Sequence, residues 1–140
     1  MAQPLAVDAT CLISAMLGGR AREIIFSEKF ALYSPQTTLF EVSRRITWLA
    51  SRLQTSELKL FKEFQLFPVV ACQPAEYDDH VQHAAELIGP RDPLDIPLLA
   101  LALARNFPIW SDDRDFDGIA AIRLFKTADL LSQLATEIRE

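Results

Sequence analysis

The sequence predicts an α/β sandwich on a mainly parallel central sheet of four to five strands. Short apolar runs alternate with longer segments of helical periodicity along the chain. The breaks between them carry helix stops (Gly18-Gly19, Gly89-Pro90) and helix starts (Ser34-Pro35, Pro74). Length agrees: 140 residues, 50% hydrophobic and 24% charged, suit a single domain over 1–140 whose core needs no disulfide or structural metal.

The elements follow in order. Leu5-Ala6-Val7-Asp8 reads as a short buried strand, and a helix over 10–17 stops at Gly18-Gly19. A second short helix covers 21–27, and Phe30-Ala31-Leu32-Tyr33 is the second strand. Ser34 is then the expected N-cap, with Pro35 at the first position of a helix to about residue 53. Leu58, Phe61 and Leu66 give a helix over 57–67, followed by a third strand, Pro68-Val69-Val70-Ala71. Pro74 opens a helix reaching residue 88. Asp95 caps a helix whose buried face is Leu98, Leu99, Ala102 and Leu103. Phe107-Pro108-Ile109-Trp110 is the fourth strand, Arg123-Leu124-Phe125 a short fifth, and the last helix covers 127–139.

Charge narrows the partners. With 14 Lys+Arg against 19 Asp+Glu, the net charge is −5. That excludes a globally basic footprint, so any nucleic-acid contact must use a local basic patch. The longest clean apolar run, Leu98 to Ala104, falls far short of the roughly 20 residues a membrane span needs. No Lys or Arg precedes Arg20, and Asp8 interrupts the first apolar stretch, so no signal peptide is read and the cytoplasm is the expected location. Cys11 and Cys72 sit in apolar company and read as small buried hydrophobes. Without a CxxC or a Cys/His cluster, a structural zinc site has no ligands.

The acids are the chemical signal. In a parallel sheet every helix begins at the carboxyl edge, where open α/β sheets bind ligands. Asp8 ends the first strand, Asp112 and Asp113 follow the fourth, Asp95 starts a helix, and Glu41 lies about two turns into another. Acids from distant parts of the chain thus converge on one rim. Close carboxylates repel by about 4 kcal/mol per pair at 4 Å and an effective dielectric near 20, so they take up protons or bind a cation. Oxygen ligands without His or Cys suit Mg²⁺ or Mn²⁺, and the implied chemistry is metal-assisted phosphoryl transfer. Each acid also has a plain structural reading. Asp8 can be a turn residue, Glu41 can pair with Arg45 at i+4, Asp95 can be only a cap, and loops after strands collect Asp.

Three other patterns are set aside. Asp113-Arg114-Asp115-Phe116-Asp117-Gly118 matches the first half of an EF-hand loop, but its closing acid falls on Leu124, and Ala120-Ala121-Ile122 reads as core. His80 and His83 at i, i+3 lack a partner ligand and read as solvated surface. Phe61, Phe64 and Phe67 read as core or a dimer face rather than a stacking platform.

Four segments together resemble the PIN-domain family, metal-dependent nucleases that include VapC-type toxins. They are Val7-Asp8-Ala9-Thr10, Leu39-Phe40-Glu41-Val42, the stretch from Arg91-Asp92-Pro93-Leu94-Asp95 to Ala102, and Ile109-Trp110-Ser111-Asp112-Asp113-Arg114-Asp115-Phe116. Their order and strand context fit across nearly the whole chain. The resemblance implies a PIN-like α/β/α sandwich with an acidic pocket. Asp8, Glu41, Asp95 and Asp113 match the family's core acids, Asp115 an additional acid, and Thr10 and Ser111 hydroxyls that support the pocket. Three departures are Ala9 where a hydroxyl is frequent, Asp112 where Asn is common, and the extra acid Asp92.

What the resemblance implies is a divalent-metal-dependent endoribonuclease. Asp8, Asp95 and Asp113 would hold Mg²⁺ or Mn²⁺, with Glu41 and Asp115 as further ligands or Glu41 orienting the attacking water. Arg44, Arg45 and Arg91 are candidates for RNA phosphate contacts, with solvated helix charge as their structural reading. A small antitoxin protein and a homodimer are the implied partners. The helix of Leu12, Ile13, Met16 and Leu17 and that of Leu58, Phe61 and Leu66 are surfaces for them, unless core packing takes these residues. The alternative is a PIN-scaffold module that binds RNA or protein with little nuclease activity. An aspartate-nucleophile phosphatase ranks lower, because it wants a second Asp where Thr10 stands.

Overall fold

The computed structural model describes residues 1–139. Among these, five strands form one sheet, all parallel, in the order β3-β2-β1-β4-β5. They are β1 (Gln3–Val7), β2 (Phe30–Pro35), β3 (Val69–Cys72), β4 (Ile109–Trp110) and β5 (Leu124–Phe125). The helices are α1 (Ala9–Met16), α2 (Ala21–Ile25), α3 (Gln36–Arg44), α4 (Ile46–Leu53), α5 (Glu57–Gln65), α6 (Val81–Ile88), α7 (Ile96–Arg105) and α8 (Thr127–Arg139).

The period-two alternation of the strands builds two cores. Leu5 and Val7 of β1, Leu32 of β2 and Trp110 of β4 point to one face, under α1 to α5 and α8. Ala6, Cys72 and Ile109 point to the other, under α6 and α7. Because both faces are covered, the middle strands read as unbroken apolar runs rather than alternating ones. α7 buries Leu98, Leu99, Ala100, Leu101 and Ala102, and each of its fully buried leucines contributes about 1.5–3 kcal/mol. Cys11 and Cys72 are both free and buried, as expected.

Several local expectations are corrected. Ser34 belongs to β2, not to a helix cap: it is fully buried, and its hydroxyl donates to Val7 O at 2.7 Å. Pro35 ends β2, opposite Cys72, so the helix opens one residue later. That helix is divided at Arg45, whose N–H reaches back three residues to Val42 O (3.0 Å). In α5 the inward stripe is Leu60, with Phe64 partly buried and Phe67 buried just beyond the helix. Leu58, Phe61 and Leu66 are exposed. Residues 74–80 form two 3-10 turns, Pro74–Glu76 and Asp78–His80. Between them Tyr77 adopts φ −140° and buries its ring in the second core, which an α-helix there would not allow.

Leu12, Ile13 and Met16 are taken up by core packing, and of that group only Leu17 is exposed. Ala120 and Ala121 are exposed rather than core, and Ile122 is half-buried. His83 is exposed, but His80 is half-buried. No helix among the described residues is long and apolar enough to cross a membrane.

Candidate metal centre

The sheet order puts a switch point between β1 and β4. The chain leaves β1 toward β2 on one side, while β4 neighbours β5 on the other. In open α/β sheets the crevice beyond the carboxyl ends at such a point is where ligands bind. Asp8 and Asp113 come directly off these two strands, and Asp95 reaches the same crevice from the start of α7. One carboxylate oxygen from each of Asp8, Asp95 and Asp113 lies within 4.8 Å of the other two.

Each acid is held differently. Asp8, 7% exposed, is fixed to β4 through its N–H to Trp110 O at 3.1 Å. Its Oδ2 accepts from Ser111 Oγ (2.6 Å) and Thr10 Oγ1 (3.2 Å). Asp8 occupies the N-cap position of α1, but its side chain makes no cap bond and turns to the crevice instead. Asp113 is set by two turn bonds: its N–H donates to Ser111 Oγ (3.0 Å), and its Oδ1 accepts from Asp115 N (2.9 Å). Asp95 is 7% exposed and stands at the N-cap position of α7. Contrary to expectation its side chain caps nothing. Asp92 Oδ1 takes the cap role for the preceding 3-10 turn by accepting from Leu94 N (2.9 Å).

The electrostatics of this crowding are plain. Burial pushes the Asp95 carboxyl up to about 8, followed by a hydrogen bond shared with Asp115 and then the charges of Asp8, Asp113 and Asp92. Burial also raises Asp8, against the Ser111 and Thr10 hydrogen bonds that lower it. Asp95 Oδ2 is buried with no hydrogen-bond partner among the described residues, which is costly for a carboxylate. A hard divalent cation fits this observation. The donors are all oxygen, they are close enough to share one ion, and an ion would satisfy the orphaned oxygen and the mutual repulsion together.

The remaining candidates fall around this triad. Asp115 adjoins Asp95. Glu41 is outside the triad but feels the charge of Asp8, and burial is the main cause of its raised pKa. Arg45 and Arg44 act on Glu41 in the opposite sense, and both are exposed at the end of α3. The Arg91 guanidinium donates to the Asp115 backbone carbonyl, bracing the acidic loop.

Sequence reasoning missed the part played by Asp112. Its carboxylate accepts from Thr127 N (2.8 Å) and Thr127 Oγ1 (2.6 Å), while Trp110 Nε1 donates to the same hydroxyl (3.0 Å). Asp112 therefore points away from the triad and pins the loop to the start of α8. A Thr at the first position of a helix, after a strand, was the available signal.

Fold and site together define an α/β protein with three clustered carboxylates at the switch point of a parallel sheet. The sequence matches the PIN domain family over residues 6–135, and the chain belongs to that family. A search of curated proteins gave no match. Among solved structures, the fold is similar to that of VapBC2 from Rickettsia felis bound to a DNA fragment from their promoter. The TM-score is 0.66 at 10% identity, over 89% of this chain and 98% of that one.

Proposed function

We propose that the protein is a divalent-metal-dependent endoribonuclease and the toxin of a toxin–antitoxin pair. The observation that carries this reading is the buried Asp8–Asp95–Asp113 cluster with its unpartnered Asp95 oxygen. Membership of the PIN-domain family supports it, and likeness to a VapBC toxin–antitoxin complex supports the antitoxin partner.

Asp8, Asp95 and Asp113 would hold Mg²⁺ or Mn²⁺, with Asp115 beside Asp95 as a further donor. When bound, such an ion makes water more acidic and neutralises charge on phosphodiester oxygens. Ser111 and Thr10 keep Asp8 oriented through Oδ2. Glu41, whose carboxyl is raised mainly by burial, would orient the attacking water and take its proton. Arg44, Arg45 and Arg91 contact RNA phosphates and offset the repulsion between an acidic pocket and a polyanion. The products carry a 5′-phosphate and a 3′-hydroxyl. Exposed Leu58 and Phe61 on α5, beside a cleft of about 390 Å³ that also takes in Ile46 and Thr47, offer apolar surface to an antitoxin or a second copy. Location in the cytoplasm belongs to the same reading.

The test is cleavage of labelled RNA with Mg²⁺ or Mn²⁺ by the parent and by Asp8→Asn. The parent cleaves and EDTA stops it, while Asp8→Asn is inactive with an unchanged circular dichroism spectrum. Full cleavage by Asp8→Asn would refute the assignment. RNA binding that is equal with and without EDTA, with no cleavage, would leave a binding module.

A further inference from the structure

Thr38, Val42, Ile46 and Ala50 are buried at intervals of four along α3 and α4. The residues two positions after each, Phe40, Arg44, Trp48 and Arg52, stand roughly 200° around the helix and face outward. All four are exposed, Phe40 to 64% and Trp48 to 53%. Arg45 interrupts the α-helical screw (φ −95°, ψ −1°), but the four-residue interval of buried positions carries across it from Val42 to Ile46. One outer row thus alternates ring, guanidinium, ring, guanidinium, with the two neighbours within each helix about 6 Å apart along the axis. The Arg52 guanidinium lies 5.5 Å from the Trp48 ring centroid.

The row passes beside the rim of the acidic pocket: Arg44 is near enough to act on the charge of Glu41, which also feels Asp8. It also runs through the basic part of the chain. Over residues 36–65 five Lys and Arg face three acids, although the whole chain carries −5. An acidic pocket in an acidic chain repels a polyanion, so a strand reaching Asp8 and Asp113 needs cations along its approach. Arginines supply phosphate contacts. Exposed rings supply stacking platforms that accept any base whose face is free. A duplex keeps its bases paired and stacked, so it cannot use them.

We propose that the outer face of α3 and α4 is a track for single-stranded RNA, with bases stacked on Phe40 and Trp48 and phosphates held by Arg44 and Arg52, delivering the strand to the pocket at Glu41. This rests on the nuclease reading for the identity of the ligand. A protein partner is the other chemistry that favours Trp and Arg. The regular ring–cation alternation, the absence of an acid from the row and its passage beside the pocket favour a nucleic acid, while the most exposed aliphatic side chain of these helices is Leu58 on α5.

The test measures binding of a short unstructured oligoribonucleotide and of an RNA duplex in EDTA, which stops metal-dependent cleavage and leaves the row intact. The parent binds the strand more tightly than the duplex, with quenching of Trp48 emission. Fully buried Trp110 serves as the unquenched reference. Trp48→Ala weakens strand binding about tenfold, Trp48→Tyr restores it, and Phe40→Ala acts in the same direction. Arg52→Ala lowers the slope of log affinity against log salt by about 0.7. Strand affinity unchanged in Trp48→Ala and Arg52→Ala, equal affinity for duplex, or no strand binding by the parent overturns the proposal. So does conversion of a dimer to a monomer in these variants with strand affinity unchanged, which assigns the face to protein. The two readings fail separately. Row-dependent binding without cleavage in Mg²⁺ leaves the track standing and removes the nuclease. Cleavage that needs Asp8 but ignores Trp48 and Arg52 does the reverse.

Discussion

Ser111 and Asp8 are joined by a 2.6 Å hydrogen bond from hydroxyl to carboxylate, across 103 residues of sequence. The same Ser111 oxygen accepts from Asp113 N at 3.0 Å. One buried hydroxyl therefore sets the relative position of two members of the acidic triad.

Ser111→Ala should loosen both. Partners that orient ligands in this way are worth roughly 10–100-fold in metal affinity or activity. Titration calorimetry with Mn²⁺ should show a loss in that range. Thr10→Ala should lose less, because its bond to Asp8 is longer (3.2 Å) and Thr10 is exposed. Equal losses for the two variants would argue against Ser111 as the common support.

The metal-free protein should lose stability as pH rises. The Asp95 carboxyl is raised from 3.8 to about 8, mainly by burial, so the folded form holds a proton that the unfolded chain has already released. Where the native state binds more protons, stability falls with pH, here between about pH 4 and about pH 8. Asp8 and Glu41 are shifted in the same direction and add to the slope. Melting temperature measured in EDTA should decline through that window, and Asp95→Asn should flatten the decline. Mn²⁺ should restore stability most at the alkaline end, because its ligands must be deprotonated. A melting temperature that climbs through this window in EDTA would contradict the cluster.

Asp112→Ala should cost about 1–2 kcal/mol by removing acceptors for Thr127 N and Oγ1. Asp112→Asn should be milder, since an amide oxygen still accepts from a backbone N–H. Urea denaturation checks both. If the two variants were equally destabilised, the negative charge rather than the hydrogen bond would be the stabilising feature.

Neither cysteine should react with a thiol reagent in the native state. Cys11 and Cys72 are 2% and 1% exposed, and burial raises both thiols, which disfavours the reactive thiolate. Both should react once the protein is unfolded in denaturant. Rapid native labelling of Cys11 would mean that the core beneath Trp110 opens.

The sheet and the triad were legible because strand ends are written in the sequence. An acid closing an apolar run, as Asp8 does, is placed by topology alone, and parallel pairing brings Asp113 beside it. Glu41 was harder. Its rim position follows from α3, but its separation from the triad depends on how α3 packs. Asp112 and Asp113 follow the same strand, and the family resemblance singled out Asp113, but the bonds of Asp112 to Thr127 are tertiary and were not legible. On α5 the stripe Leu60, Phe64, Phe67 was present in the sequence but masked by Leu58, Phe61 and Leu66, which have the same chemistry and the opposite exposure. Tyr77, buried in the second core at φ −140°, stands where the helix expected from Pro74 gives way to two 3-10 turns.

The β1–β4 pairing also has a temporal side. Asp8 leaves the ribosome early, yet the strand that brings Asp113 to it begins at Ile109 of a 140-residue chain. A nascent chain stalled or truncated before that point carries no complete donor set. A break before Ile109 therefore removes both Asp113 and the strand that carries it to the sheet edge, and leaves Asp8 and Asp95 without their third acid.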